Sequence, residues 1–438
     1  MPQPSNCARV PITTVALLTL SSASLAQAPA IPLETARAYL AEAQTLCTAD
    51  GGDLWGVTLC GPMMFVDRQS RAIVANQQDP QGVLKPEGAV FVGTLAPELN
   101  VANTAVEWAG LRWTQLVWPP PADTAMRATL LMHESFHRVQ PQLHPSAPRE
   151  AENAHMDSLD GRYLVQLEWR ALARALSAPK QSQARAAARD ALLFRTRRHE
   201  LFAKAAAEES ALELNEGLAE YTGVRVGQTT SDARLQSALR DLRVHAADPT
   251  FVRSFAYATG PAYGLLLDRW APDWRRRIGP QQGFGALLGA ALTPAGKKGA
   301  KLEAAAARYD GAVLLAAETA RDARRQETLR EYRQRFIQGP VLEIRLVRMS
   351  VQFDPRNLQP LDEAGTVYPY LRVSDDWGVL EATGGALLSP GWSAVIVPGP
   401  ITTEGNIARG EGWSLTLNRG WKLTAGARAQ DSALTRDP

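Results

Sequence analysis

The stretch DTAMRATLLMHESFHRVQ, Asp123 to Gln140, decides how the rest of the chain is read. Asp123 is a good helix N-cap. Met126, Leu130, Phe136 and Val139 follow mostly at helical intervals, and Pro141 is expected to stop the helix. On such a helix His133 and His137 project from one face, about one turn apart, so both imidazoles can reach a single metal ion. Glu134 stands beside the first histidine. In a His-Glu-x-x-His arrangement zinc lowers the pKa of a water towards neutrality, and the glutamate takes its proton and passes it to a leaving amine. The reading therefore predicts His133 and His137 as Zn2+ ligands and Glu134 as general base.

A catalytic zinc needs a third protein ligand and an open position. His144 is out of register for an extended histidine motif and follows Pro141, so it is set aside. Glu150, Glu152 and Asp157 lie in the polar segment that follows, and Asp157 is the runner-up. The best candidate is further on, in Glu213-Leu214-Asn215-Glu216-Gly217-Leu218-Ala219-Glu220-Tyr221. Glu216 and Glu220 are one helical turn apart, so both can face the histidines. Glu216 is predicted to bind the metal, and Glu220 to accept the N–H of a zinc-bound histidine and fix its tautomer. Glu213 fits a solvated carboxylate better.

These two motifs together resemble the gluzincin metallopeptidases, the group of thermolysin and aminopeptidase N. The resemblance covers residues 100–270 and implies that Glu216, within Asn-Glu-Gly, is the third zinc ligand, with Leu218 where that family has an aromatic residue. It implies that Glu220 orients a zinc histidine. It also extends to Tyr257-Ala258-Thr259-Gly260, which is similar to the family segment whose tyrosine stabilises the oxyanion; the family lysine is missing, and Tyr263 is a second tyrosine close by. Two departures stand out. The interval from His137 to Glu216 is far longer than in the family and reads as a loop plus long helices that would cap or narrow the cleft. The element that binds a free N-terminus in the aminopeptidases is absent upstream.

Outward from this core, residues 33–47 have helical spacing and Gly51-Gly52 breaks them. Residues 54–118 alternate short Val-, Phe- and Trp-rich runs with turn residues. They read as an antiparallel sheet, with a hairpin turn at Asp67-Arg68-Gln69-Ser70 and Pro119-Pro120-Pro121 at its end. Residues 158–178 and 180–208 read as two long helices split near Pro179. Further helices are expected at about 211–226 and near 260–270. Residues 299–338 read as a charged helical connector with a solvated face, interrupted at Asp310-Gly311. Beyond Gly339-Pro340 strand-like runs alternate with Gly, Pro and Asn, as in a small sandwich or barrel. The pairs Gly391-Trp392, Gly412-Trp413 and Gly420-Trp421 read as turn plus core. The fold class is thus α+β: a β-rich part (27–120), a mainly helical zinc-binding region (121–339) and an all-β C-terminal domain (340–438).

With 438 residues, 45% of them apolar and 21% charged, the chain is globular and large enough for two or three domains. A net charge of +2 gives no electrostatic case for nucleic acid or an anionic membrane. Arg9, the apolar run Val10–Leu20 and Ser24-Leu25-Ala26 read as a cleavable signal peptide over residues 1–26, which predicts a secreted or periplasmic protein without stable membrane insertion. Cys47 and Cys60 then form an even pair, either a disulfide or two buried thiols. The function expected is exported, zinc-dependent hydrolysis of peptide or protein substrates. The alternatives are a non-catalytic envelope or binding protein on a degenerate scaffold, and a zinc hydrolase of non-peptide amides or esters.

Overall fold

A computed structural model describes residues 31–143, 152–292, 301–354 and 358–436. The expected signal segment, His144 and Glu150 lie outside them. The chain opens with helix α1 (Leu33–Asp50), which ends where Gly51 adopts φ 59° and donates its N–H to the Cys47 carbonyl. That left-handed conformation suits a residue without Cβ. A Cys47–Cys60 disulfide ties the end of α1 to the segment leading into the sheet.

Six strands follow: β1 (Met63–Asp67), β2 (Ala72–Ala75), β3 (Lys85–Glu87), β4 (Val90–Thr94), β5 (Thr104–Trp108) and β6 (Leu111–Trp118), in the order β3-β4-β2-β1-β6-β5. The Asp67 carboxylate closes the β1–β2 hairpin by accepting the backbone N–H groups of Gln69 and Ser70. The sheet is mixed and not purely antiparallel, because β6 pairs parallel with β1. The β1–β2 hairpin fills one side of β1, and β6 of the later β5–β6 hairpin fills the other. Alternation along β1 serves two cores. Phe65 packs with α1 and the helices beyond, while Met64 and Val66 pack with Ile73 and Trp113 on the opposite face.

Helix α2 (Thr124–Leu143) starts where the Asp123 carboxylate accepts the Met126 N–H at 2.8 Å. It passes through Pro141 and reaches Leu143, the last described residue before 152, which corrects the expected stop. The proline removes one backbone donor from the helix. Then come α3 (Leu159–Ser177), α4 (Gln181–Leu201) and α5 (Ala205–Leu212), so the segment 180–208 is two helices and not one. A π-helical turn, Glu213–Gly217, leads into α6 (Leu218–Gly227). Helix α7 (Ser231–Val244) is followed by α8 (Ser254–Trp270), which begins six residues ahead of the helix read near 260–270. Helices α9 (Phe284–Leu292), α10 (Leu302–Ala306) and α11 (Gly311–Arg333) complete the helical part. Helix α11 keeps the expected solvated face, with most of its residues exposed, but its Glu318 turns inward against α3, accepting from Arg162 Nε at 3.1 Å and Gln166 Nε2 at 2.6 Å.

From Val341 the chain forms two further sheets, of seven and six strands. Leu342, Ile344 and Val395 of one and Val373, Leu380 and Leu415 of the other are buried, and Trp413 of the six-stranded sheet donates its indole N–H to the Pro398 carbonyl of the seven-stranded one at 2.8 Å, so the two sheets are in contact. Gly391, Gly412 and Gly420 all take positive φ, as turn glycines should, but of the three tryptophans only Trp413 is fully buried. The C-terminal sheets meet the first sheet through Asn100, which donates to the Val351 carbonyl and accepts from Ser350. No helix among the described residues is long and apolar enough to cross a membrane.

The helices that matter most meet backbone to backbone. A Cβ placed on Gly223 of α6 would stand 2.5 Å from the Thr129 carbonyl oxygen of α2, and one on Gly227 2.7 Å from that of Ala128. A Cβ on Gly260 of α8 would stand 2.1 Å from the Gly217 carbonyl oxygen. Gly223→Ala is therefore expected to destabilise the protein by about 1–3 kcal/mol through overpacking. A urea midpoint that does not move would show that the contact is not this tight.

Candidate metal centre

Three elements converge. Helix α2 supplies His133, Glu134 and His137 from consecutive turns, the π-helical turn supplies Glu216, and α6 supplies Glu220. A π turn holds one residue more than an α turn and so re-aims the side chains around it. Helix α8 adds Tyr257. All of these groups are buried or nearly so.

The distances are those of a coordination polyhedron. His133 Nε2 and His137 Nε2 are 3.1 Å apart, and Glu216 Oε2 lies 3.6 Å from the first and 3.4 Å from the second. For a tetrahedral ion with bonds of about 2.0–2.1 Å the donors should be separated by about 3.3 Å. His133, His137 and Glu216 form the one group of this kind among the described residues that could hold a metal ion.

The outer ring nitrogens fix the tautomers. His133 Nδ1 is 2.6 Å from Glu220 Oε2, and His137 Nδ1 is 2.8 Å from Gln140 Oε1. The Gln140 amide is oriented by its own donor end, which reaches the Leu214 and Asn215 carbonyls at 2.9 and 3.1 Å. Both partners of Nδ1 are thus acceptors, so both Nδ1 atoms carry the proton. In the neutral rings both Nε2 atoms then present lone pairs to each other and to the Glu216 carboxylate. Only a metal ion or extra protons relieve that repulsion.

The neighbouring charges shift the titration of each group. Burial by itself would depress the His133 pKa, but hydrogen bonds to Glu216 and Glu220 outweigh it and hold it well above the ordinary value. His137 is raised as well, against burial, chiefly by Glu216. Glu216 is held well below the usual carboxylate range, again against burial, by the two histidines and by the charge of Arg253. Glu134 goes the other way: burial raises it, and the neighbouring histidines only partly oppose this. Its Oε2 is buried without a hydrogen-bond partner, while Oε1 lies 4.0 Å from His133 Nε2. Glu134 thus stands next to the converging donors through Oε1 and keeps a second oxygen without a protein partner, which suits a small ligand such as water.

Tyr257 also reaches the centre. Its hydroxyl donates to Glu216 Oε2 at 2.7 Å and its ring stacks on His133, with centroids 5.6 Å apart and planes within 4°. Tyr263 does not; it donates to Glu168 Oε1 in the core. Asp157, the rival third ligand, is used elsewhere: it accepts the Phe251 N–H at 2.8 Å, the Thr250 hydroxyl and Arg162. Glu152 is exposed and outside the donor group. Glu213 is the clearest reversal. It is not solvated but buried, paired with Arg195 and accepting from Thr259 at 2.9 Å. Arg195 belongs to α4, where with Arg198 it grips Glu168 and Glu209. The long insertion after His137 therefore braces the turn that carries Glu216.

Two residues of the centre escaped the sequence reading. Gln140 sits one turn after His137 on the same helix, so its spacing was a usable signal. Arg253 precedes α8 and donates to Glu216 Oε1 at 3.0 Å; it was invisible because the helix was expected to start after it.

Two outcomes are expected. Gln140→Ala should weaken zinc binding about 10–100-fold, as loss of an outer partner of a ligand does, measured by chelator competition; an unchanged affinity would remove Gln140 from the centre. The second concerns pH. A histidine whose folded pKa is raised adds stability that is fully present below its unfolded pKa, near about 6.5, and is lost as pH climbs through the folded value. In metal-free protein this contribution should fade from about pH 6.5 upward, while the rise in Tm produced by zinc grows over the same range as protons leave Nε2. Thermal unfolding with and without zinc reads both, and a pH-independent zinc increment would contradict the assignment. No family model, curated protein or solved structure matches this chain.

Proposed function

We propose that this chain is an exported zinc-dependent hydrolase that cleaves peptide bonds. One observation carries the reading: two histidine Nε2 lone pairs and Glu216 Oε2 converge at tetrahedral spacing, with Glu134 Oε1 4.0 Å from His133 Nε2. When bound, zinc would polarise a substrate carbonyl and make a water acidic enough to act as nucleophile near neutral pH. His133, His137 and Glu216 would hold it. Glu134, with its pKa raised by burial, would accept the proton and return it to the leaving amine. Glu220 and Gln140 keep the two imidazoles in the tautomer that offers Nε2. Tyr257, whose phenol is kept protonated by burial and by the Glu216 charge, is a hydrogen-bond donor for developing negative charge.

A peptide is favoured over an ester by the sheet. Strand β5 is an edge strand that packs against α2, and its outer backbone groups pair with no second strand among the described residues. An extended peptide can add to such an edge. Export is favoured by the Cys47–Cys60 bond, which belongs to an oxidising compartment.

Wild-type protein should contain stoichiometric zinc and digest a peptide library in a chelator-sensitive way. His137→Ala should lose the metal. Glu134→Gln should keep it and lose about 10²–10⁴-fold in activity. A wild type that binds no zinc would end the proposal, and an undiminished Glu134→Gln enzyme would end the role of the base.

A further inference from the structure

The two oxygens of Glu216 have different surroundings. Oε2 faces both histidine Nε2 atoms and receives the Tyr257 hydroxyl. Oε1 receives Arg253 Nη2 at 3.0 Å and Asn215 Nδ2 at 3.2 Å. Arg253 is the residue just before α8, and Tyr257 follows in the first turn of that helix, four residues later. One helix end thus grips both oxygens of one carboxylate from consecutive turns. Arg253 has no other carboxylate partner among the described residues, and its Nε is buried without a hydrogen-bond partner. The guanidinium is therefore committed to Glu216.

A carboxylate can bind a metal ion through one oxygen or through both. Resting on the metal-centre reading above, we propose that Arg253 is a positioning residue that restricts Glu216 to one-oxygen coordination. Oε1 receives two donors, one of them charge-assisted, whereas Oε2 receives only the Tyr257 hydroxyl and keeps a lone pair for the ion. The coordination position that Oε1 would otherwise fill stays open for water or a substrate carbonyl, as a catalytic site requires. Asn215, exposed at the surface, adds a weaker second donor to the same oxygen.

The test uses the full chain loaded with zinc or with cobalt. X-ray absorption of the zinc-loaded wild type should show a single bonded carboxylate oxygen from Glu216. In Arg253→Met the released Oε1 should join the ion: the intense visible bands of four-coordinate cobalt should weaken towards those of a higher-coordinate centre, and zinc affinity should fall roughly tenfold. Arg253→Lys, which can still place one charged donor on Oε1, should recover the wild-type spectrum. A wild type that already binds through both oxygens overturns the inference, whatever the variants do. So does a folded, loaded Arg253→Met whose cobalt spectrum equals the wild type. A wild type that takes up neither metal overturns the metal reading itself, and is told apart by that failure.

Discussion

The backbone contact between α2 and α6 sets everything at the centre of this molecule. Gly223 and Gly227 let the two helices approach until peptide groups touch, and that spacing brings Glu220 within 2.6 Å of His133. With an alanine-sized spacer the helices would sit farther apart, and the carboxylate would no longer reach the ring. The Gly217–Gly260 contact does the same between the π turn and α8, bringing Tyr257 and Arg253 to Glu216. The polar geometry rests on small residues that carry no chemistry.

The converging charges are costly to bury, and the fold offsets that cost outside the centre as well as within it. Glu168, Glu209 and Glu213 are fully buried around Arg195 and Arg198. The arginines hold Glu168 below and Glu209 well below the ordinary carboxylate range, against burial. Removing one partner from such a network typically costs about 3–5 kcal/mol, because it strands the remaining charge. The network joins α3, α4, α5 and the π turn, so it ties the inserted helices to the turn that carries Glu216.

Much of this was legible in the sequence, for definable reasons. The spacing of His133, Glu134 and His137 fixes one helical face, and Glu216 and Glu220 repeat the argument on a second helix. Local periodicity therefore found the groups that meet across α2 and α6. It failed where the deciding interaction is long-range. Glu213 looks like a surface carboxylate until Arg195, on another helix, is placed beside it. The parallel pairing of β6 with β1 joins strands more than forty residues apart, which no local pattern records. Glu318 looks like one more carboxylate on the solvated face of α11 until Arg162, more than a hundred residues away, is placed beside it.

The Cys47–Cys60 bond has a reach beyond its own loop. The segment it closes carries Trp55, whose ring packs on Phe136 of α2 and whose indole N–H donates to Thr222 of α6 at 2.9 Å. The carbonyls of Leu59 and Cys60 accept from Arg138, the residue after His137, at 3.0 and 2.9 Å. Closing a loop of this size lowers the entropy of the unfolded chain by an amount worth on the order of 3 kcal/mol. Because the loop is wedged between the two helices that hold the histidine and its carboxylate, that entropy contributes directly to bringing them together. The thiol chemistry of the surroundings thus enters the free energy of assembling a centre that contains no sulfur.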